Sequence, residues 1–130
     1  MGTHCVFCAI CAGQSPATVV REWDDVIAIV PRRPCVPGHV LVIPRMHVAD
    51  VGEDPMVSGR TMACAAELAA GMPAANVITS KGAAATQTVF HLHAHVLPRR
   101  YGDDLPLPWT PQQAAEPPKF AHIPVRIRPC

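Results

Sequence analysis

Charge is scarce in this sequence, and neither sign prevails. Only 16% of the 130 residues are Asp, Glu, Lys or Arg, and 11 basic against 10 acidic side chains leave a formal charge of +1. No block of like charge exists to hold nucleic acid or anionic lipid over a broad face, so no nucleic-acid or membrane partner is expected. Long apolar runs are missing as well. Each is interrupted well short of the roughly 18 residues that a transmembrane helix needs. Met1–Gly13 has neither Lys nor Arg and no apolar centre, so no export signal is expected there. A phosphate-cradling P-loop is also lacking, because Gly82-Ala83-Ala84-Ala85-Thr86-Gln87 does not end in Gly-Lys-Ser/Thr. No internal repeat and no second domain is visible. The expectation is one soluble cytoplasmic domain.

Apolar residues, proline, cysteine and histidine are what the chain does have. Hydrophobic residues make up 49%, enough for an ordinary core and too many for a largely disordered chain. Of the 15 prolines, a cluster runs from Pro106 to Pro129 and predicts an irregular tail. Six cysteines would suit a secreted disulfide framework, but no export signal accompanies them. Cys5, Cys8 and Cys11 lie three apart, which fits a metal or plain reduced thiols better. Cys35, Cys64 and Cys130 fall in a loop, on a helix face and in the tail.

Local pattern places the elements. Residues 4–12 predict a short helical turn carrying the cysteines. Thr18–Glu22 and Val26–Val30 are β-branched and apolar around Trp23-Asp24-Asp25, a hairpin signature. Pro31–Gly38, rich in proline, is a loop. His39–Pro44 is a continuous apolar run and a core strand. Asp54-Pro55 opens a helix that runs to about Ala70 and stops at Gly71, with Val57, Thr61, Cys64 and Leu68 at helical spacing. Asn76–Ser80 is a short strand, Lys81–Thr86 a loop, and Val89–Pro98 the best strand of the chain.

Three of the seven histidines sit at alternate positions of that last strand: His91, His93 and His95. Alternate side chains of a strand share a face. The three imidazoles therefore line one side, while Leu92, Ala94 and Val96 face the core. Three histidines in line along one strand do not converge easily on one tetrahedral ion. A mixed use fits better, with metal at one end and chemistry in the middle.

His91-Leu92-His93-Ala94-His95-Val96-Leu97 resembles the signature of the histidine triad family of nucleotide hydrolases and transferases. Gln87-Thr88-Val89-Phe90 before it, Pro98-Arg99 after it and Pro37-Gly38-His39 through His47 upstream strengthen the likeness. Cys5-Val6-Phe7-Cys8 resembles the Cys-x-x-Cys of zinc-containing bacterial members, the purine nucleoside phosphoramidase-like branch. The resemblance implies an α+β, HIT-like fold: a five-stranded antiparallel sheet with one main helix and a short N-terminal helix. Residues 1–105 would form the domain and 106–130 its Pro-rich C-terminal tail. A homodimer with a continuous ten-stranded sheet is also implied, with Pro108 and Trp109 of the tail reaching toward the partner's site or merely covering core surface.

The same resemblance implies a function. His93 attacks a purine nucleoside phosphoramidate, or a related ester or anhydride, and becomes a covalent nucleotidyl-histidine. Imidazole suits this because its ordinary pKa of about 6.5 leaves much of it neutral near pH 7. His95, Gln87 and Thr88 would donate to the phosphoryl oxygens, with His39 and Ser80 beside the nucleotide. Cys5, Cys8, His47 and His91 form a Cys2His2 set for a structural Zn2+, with no open position for water. Cys11 is a rival ligand, His4 a weaker one, and reduced thiols without metal the alternative. Two departures bear on the substrate. Pro31 stands where many members carry an acid that grips the ribose, and Ser80 where many carry Asn. Asp24 and Asp25 lie too far back to replace that acid. Competing readings are dinucleoside polyphosphate hydrolysis, nucleotidyl transfer, or nucleotide binding without catalysis. Arg45, Lys81, Arg99 and Arg100 are read as exposed solubilising charge.

Overall fold

A computed structural model describes residues 4–110. In chain order the elements are α1 (Val6–Cys11), β1 (Val19–Glu22), β2 (Val26–Ile29), β3 (Val40–Pro44), α2 (Pro55–Ala69), β4 (Ala75–Ile78) and β5 (Ala94–Pro98). The strands form a single antiparallel sheet in the order β1-β2-β3-β5-β4. The five-stranded α+β architecture with one main and one short helix is the one expected. Among the described residues no helix is long and apolar enough to cross a membrane. The Pro-rich tail from residue 111 onward, with His122 and Cys130, lies outside the described residues. Trp109 lies within them and is exposed.

Each strand sorts its side chains onto two faces. On one face Val26, Ala28, Val40, Val42, Ala94 and Val96 pack against Cys64 and Ala65 of α2. On the other, Ile27, Ile29, Leu41 and Ile43 pack against Phe7 of α1. α2 begins where the sequence places it: the Asp54 carboxylate accepts from the backbone N–H groups of Met56 and Val57, and Pro55 occupies the first turn. Gly38 is required just before β3. Its φ is +84°, and a Cβ there would meet Pro98 Cγ at 3.0 Å.

The last strand is shorter than the sequence predicts. Val89–Pro98 reads as one strand, but laddering begins only at Ala94, opposite Val42 of β3. Before that point the chain has no strand partner. It arches against the segment after β3 instead, where the Leu92 N–H donates to the Val48 carbonyl at 2.8 Å. Leu92, Ala94 and Val96 are nonetheless all buried, so the alternation holds even where the ladder does not. Only His95 of the three histidines lies on β5.

Candidate active site and metal cluster

The histidines gather on the α1 face of the sheet. His95 is paired with Leu41 of β3, whose side chain packs beneath α1. The His93 ring lies 5.1 Å from that of His95 and 5.0 Å from Phe7, both edge-on. Phe7 also meets His91 edge-on at 5.8 Å. Sequence reasoning missed Phe7 as a site residue, although its position between Cys5 and Cys8 ties it to the same helix.

The partners of each imidazole decide which nitrogen carries the proton. His93 Nδ1 lies 2.8 Å from the His91 carbonyl. A carbonyl only accepts, so Nδ1 is the protonated nitrogen and Nε2 keeps a free lone pair. The Thr79 hydroxyl donates to the His93 carbonyl at 2.7 Å and anchors the backbone below it. For His91, Nε2 faces the Pro44 carbonyl at 2.8 Å, so Nε2 holds the proton and Nδ1 is bare. The Cys35 N–H donates to His39 Nδ1 at 3.0 Å. A neutral His39 therefore carries its proton on Nε2, which donates to His95 Nδ1 at 3.0 Å. His95 is left with Nε2–H as a donor.

Burial keeps this group uncharged. It lowers the pKa of His93, opposed by the hydrogen bond to the His91 carbonyl. Burial also lowers that of His39. His95 is driven down to about 4, by burial first and then by His93 and His39. A buried imidazolium loses its hydration, and its imidazole neighbours offer no negative charge in return.

His91 Nδ1 points into the second constellation. It lies 3.4 Å from Cys5 Sγ, 3.6 Å from Cys8 Sγ and 3.0 Å from His47 Nδ1, while Cys8 Sγ and His47 Nδ1 are 3.3 Å apart. All four ligand atoms lie within 4.8 Å of one another. Tetrahedral zinc with bonds of about 2.3 Å to sulfur and 2.0–2.1 Å to nitrogen gives edges of roughly 3.3–3.8 Å. The three sulfur–nitrogen distances fall within that range and the nitrogen–nitrogen one lies a little below it, so the four atoms could hold Zn2+ after small shifts, with the His91 tautomer leaving a lone pair on Nδ1. Burial, followed by the adjacent Cys5 thiol, pushes the Cys8 thiol up to about 11. A bound cation reverses that balance by releasing the thiol proton. Cys11 falls outside the cluster, and burial raises its thiol pKa too. His4 is exposed and lines the open hollow beside Cys8 and His47.

The remaining expected residues are placed less directly. The Gln87 side chain is buried and fully engaged, its Nε2 donating to the Ala49 and Val89 carbonyls and its Oε1 accepting from the Gly82 N–H. It ties loop 80–88 to segment 49 rather than facing the histidines. Thr88 is exposed on the outer hollow, and Ser80 is half-buried just after β4. Two arginines differ from their reading as loose surface charge. Arg99 grips Asp103 through two nitrogens and also donates to Asn76 Oδ1 and the Leu105 carbonyl. Arg45 donates to the Cys11 carbonyl at the end of α1.

A cavity of about 590 Å3 opens on the α1 face of the sheet, floored by Ile29 and Leu41 and walled by Phe7, Ile10 and Pro31. That is the size range of small-ligand sites. Phe7, which walls the cavity, also packs edge-on against the His93 ring at 5.0 Å, so the cavity and the histidines are separated by a single side chain.

Comparison with known proteins gives a consistent set of relatives. The HIT domain matches residues 12–102. An uncharacterised HIT-like protein of Mycobacterium tuberculosis is 44% identical over 108 residues, covering 78% of this chain and 75% of its own. The adenylylsulfatase HINT3 of Arabidopsis thaliana is 35% identical over 78% of this chain and 55% of its own. Among solved structures, a zinc-bound histidine triad family protein from Mycobacterium smegmatis is 38% identical with a TM-score of 0.70, covering 84% of each chain.

Proposed function

The chain belongs to the HIT-domain family, and from that premise we propose that it is a nucleotide hydrolase acting through a covalent nucleotidyl-histidine on His93. Purine nucleoside phosphoramidates and related 5′-phosphate esters or anhydrides are the substrate class. The observation that carries this reading is the His93 tautomer: the His91 carbonyl holds Nδ1–H, so Nε2 keeps its lone pair free. That is what a nucleophilic imidazole requires.

His93 Nε2 forms a bond to phosphorus while the bond to the leaving group breaks with its electron pair. The leaving group departs with a proton taken from solvent, while His95 Nε2–H donates a hydrogen bond to it and His39 Nε2–H holds His95 Nδ1 in the tautomer that makes this possible. The nucleotidyl-imidazolium on His93 is steadied by its Nδ1–H on the His91 carbonyl. Water then attacks phosphorus, the P–N bond breaks with its electron pair returning to His93 Nε2, and the water's proton passes to solvent. Gln87, Thr88 and Ser80 serve as phosphate donors only after loop 80–88 exchanges the hydrogen bonds that now hold Gln87.

Cys5, Cys8, His47 and His91 are proposed to hold a structural Zn2+, placing this chain with zinc-containing members. When bound, such an ion supplies rigidity, not Lewis-acid chemistry, because four protein ligands leave no open position. A homodimer is proposed as well; β4 is an edge strand at which a second copy can continue the sheet.

Intact-mass measurement after mixing with adenosine 5′-phosphoramidate tests the mechanism. An adenylyl adduct is expected on the wild type and none on His93→Ala. Turnover that survives in folded His93→Ala refutes the role of His93. Bound nucleotide with no adduct and no product refutes catalysis and leaves a nucleotide-binding protein. Product analysis separates hydrolysis from transfer and from dinucleoside polyphosphate cleavage.

A further inference from the structure

The cavity beside His93 has an unusual polar balance. Its wall is apolar except for Thr18 and Arg32, and no carboxylate lines it. Pro31, next to Arg32, brings neither an N–H nor a side-chain acceptor. Asp25 does not line it; its carboxylate is paired instead with Arg60 of α2, through Nε at 2.9 Å. Among the described residues Arg21, Arg45, Arg60 and Arg99 each pair with a carboxylate; Arg32, Arg33 and Arg100 pair with none, and of these Arg32 lines the cavity. A free guanidinium therefore stands at the rim of a cavity that holds no acid.

Free ribose hydroxyls are donors, and a carboxylate is the natural group to receive them. A phosphate on the ribose presents only acceptors, and a guanidinium matches its oxygens in a planar fork. In dinucleotide-binding folds the same exchange distinguishes the two: an acid reads the ribose hydroxyl, and an arginine nearby accommodates a ribose phosphate. We propose that this cavity takes a nucleotide whose ribose carries a second phosphate, and that Arg32 binds that phosphate while the 5′-phosphorus lies against His93. The proposal rests on the reading of His93 given above only for the orientation of the nucleotide.

Calorimetry on the wild-type protein with product nucleotides tests the binding without turnover. Adenosine 3′,5′-bisphosphate or 2′,5′-bisphosphate is expected to bind roughly ten- to hundredfold tighter than AMP, the range of a charge-assisted pair. Arg32→Ala, at an exposed position whose loss leaves no cavity in the core, is expected to collapse that ratio toward one. Arg32→Lys should retain part of it. Equal affinity for AMP and both bisphosphates overturns the proposal. So does a loss in Arg32→Ala that falls equally on AMP, or the absence of any nucleotide binding. Turnover of adenosine 5′-phosphoramidate is followed in parallel. A ratio that depends on Arg32 without any turnover upholds Arg32 and refutes the catalytic reading. Turnover without a preference for the bisphosphates does the reverse.

Discussion

His39 is nearly fully buried, and its imidazole ends on His95 Nδ1 at 3.0 Å. Replacing it by Ala strands that acceptor and frees His95 to adopt the wrong tautomer, with its proton on Nδ1 and no donor at Nε2. Leaving one buried partner unsatisfied costs about 1–3 kcal/mol. Expressed in kcat/KM, that is a loss of roughly 5- to 150-fold. His39→Gln keeps an N–H donor but no titratable ring, and is expected to lose much less. The pH profile carries the second half of the prediction. His95 titrates at about 4 in the fold. At pH 5.5 such a group is still about 97% neutral, whereas one at the ordinary value of 6.5 is about 9% neutral. Wild-type kcat/KM should therefore hold nearly level from pH 7 to 5.5, with bound zinc measured at each point. Stability has its own sign. Above the unfolded value of about 6.5 both states leave the ring neutral. Between about 6.5 and 4 the unfolded chain takes up a proton that the folded chain refuses, so stability declines through that window. Below it the contribution is fully lost and falls no further. The assay is phosphoramidate hydrolysis across pH, with thermal melts of the same samples. An acid limb near 6.5 with zinc retained refutes the buried neutral pair, and equal damage from Ala and Gln refutes the donor role of His39.

Protein grown with zinc is expected to carry one Zn2+ per chain by elemental analysis; Cys8→Ser should lose it and Cys11→Ser should keep it. A ligand bound only to the folded state at a thousandfold over its Kd adds about 4 kcal/mol, so chelation should lower Tm on the order of 10 °C. A metal-free protein with an unchanged melt after chelation refutes the site. Phe7→Ala should cost about 3 kcal/mol, the lower end for a buried Phe because α1 is a single peripheral turn and a half, and should also lower kcat/KM by releasing the His93 ring. Denaturant melts with kinetics check it, and a stability loss without any kinetic effect assigns Phe7 to packing alone. Asp54→Ala should lower stability by about 1 kcal/mol through the lost cap of α2 and leave kcat/KM unchanged.

Where the physics is local, the sequence is a good guide to this molecule. Asp54-Pro55 caps α2 with its own carboxylate, and Trp23-Asp24-Asp25 turns the hairpin, so both elements lie where the pattern puts them. The start of β5 is not local: a strand needs a neighbour, and residues 89–93 have none, a fact that no run of Val, Phe and His encodes. The histidine site divides the same way. Alternation alone sends His91, His93 and His95 to a common side and buries Leu92, Ala94 and Val96. It does not say which nitrogen of each ring is free, and that decides the chemistry. Two acceptors and one donor settle the nitrogens: the Pro44 carbonyl for His91, the His91 carbonyl for His93 and, through His39, the donating backbone N–H of Cys35 for His95. Pro44 and His39 belong to β3 and the turn before it, 47 and 56 residues away in sequence from the rings they hold. The same imidazole can thus be a metal ligand, a nucleophile or a donor according to where its second nitrogen is tied. β3 and the turn just before it supply two of the three ties, through Pro44 and His39, and so set apart three rings that are chemically identical.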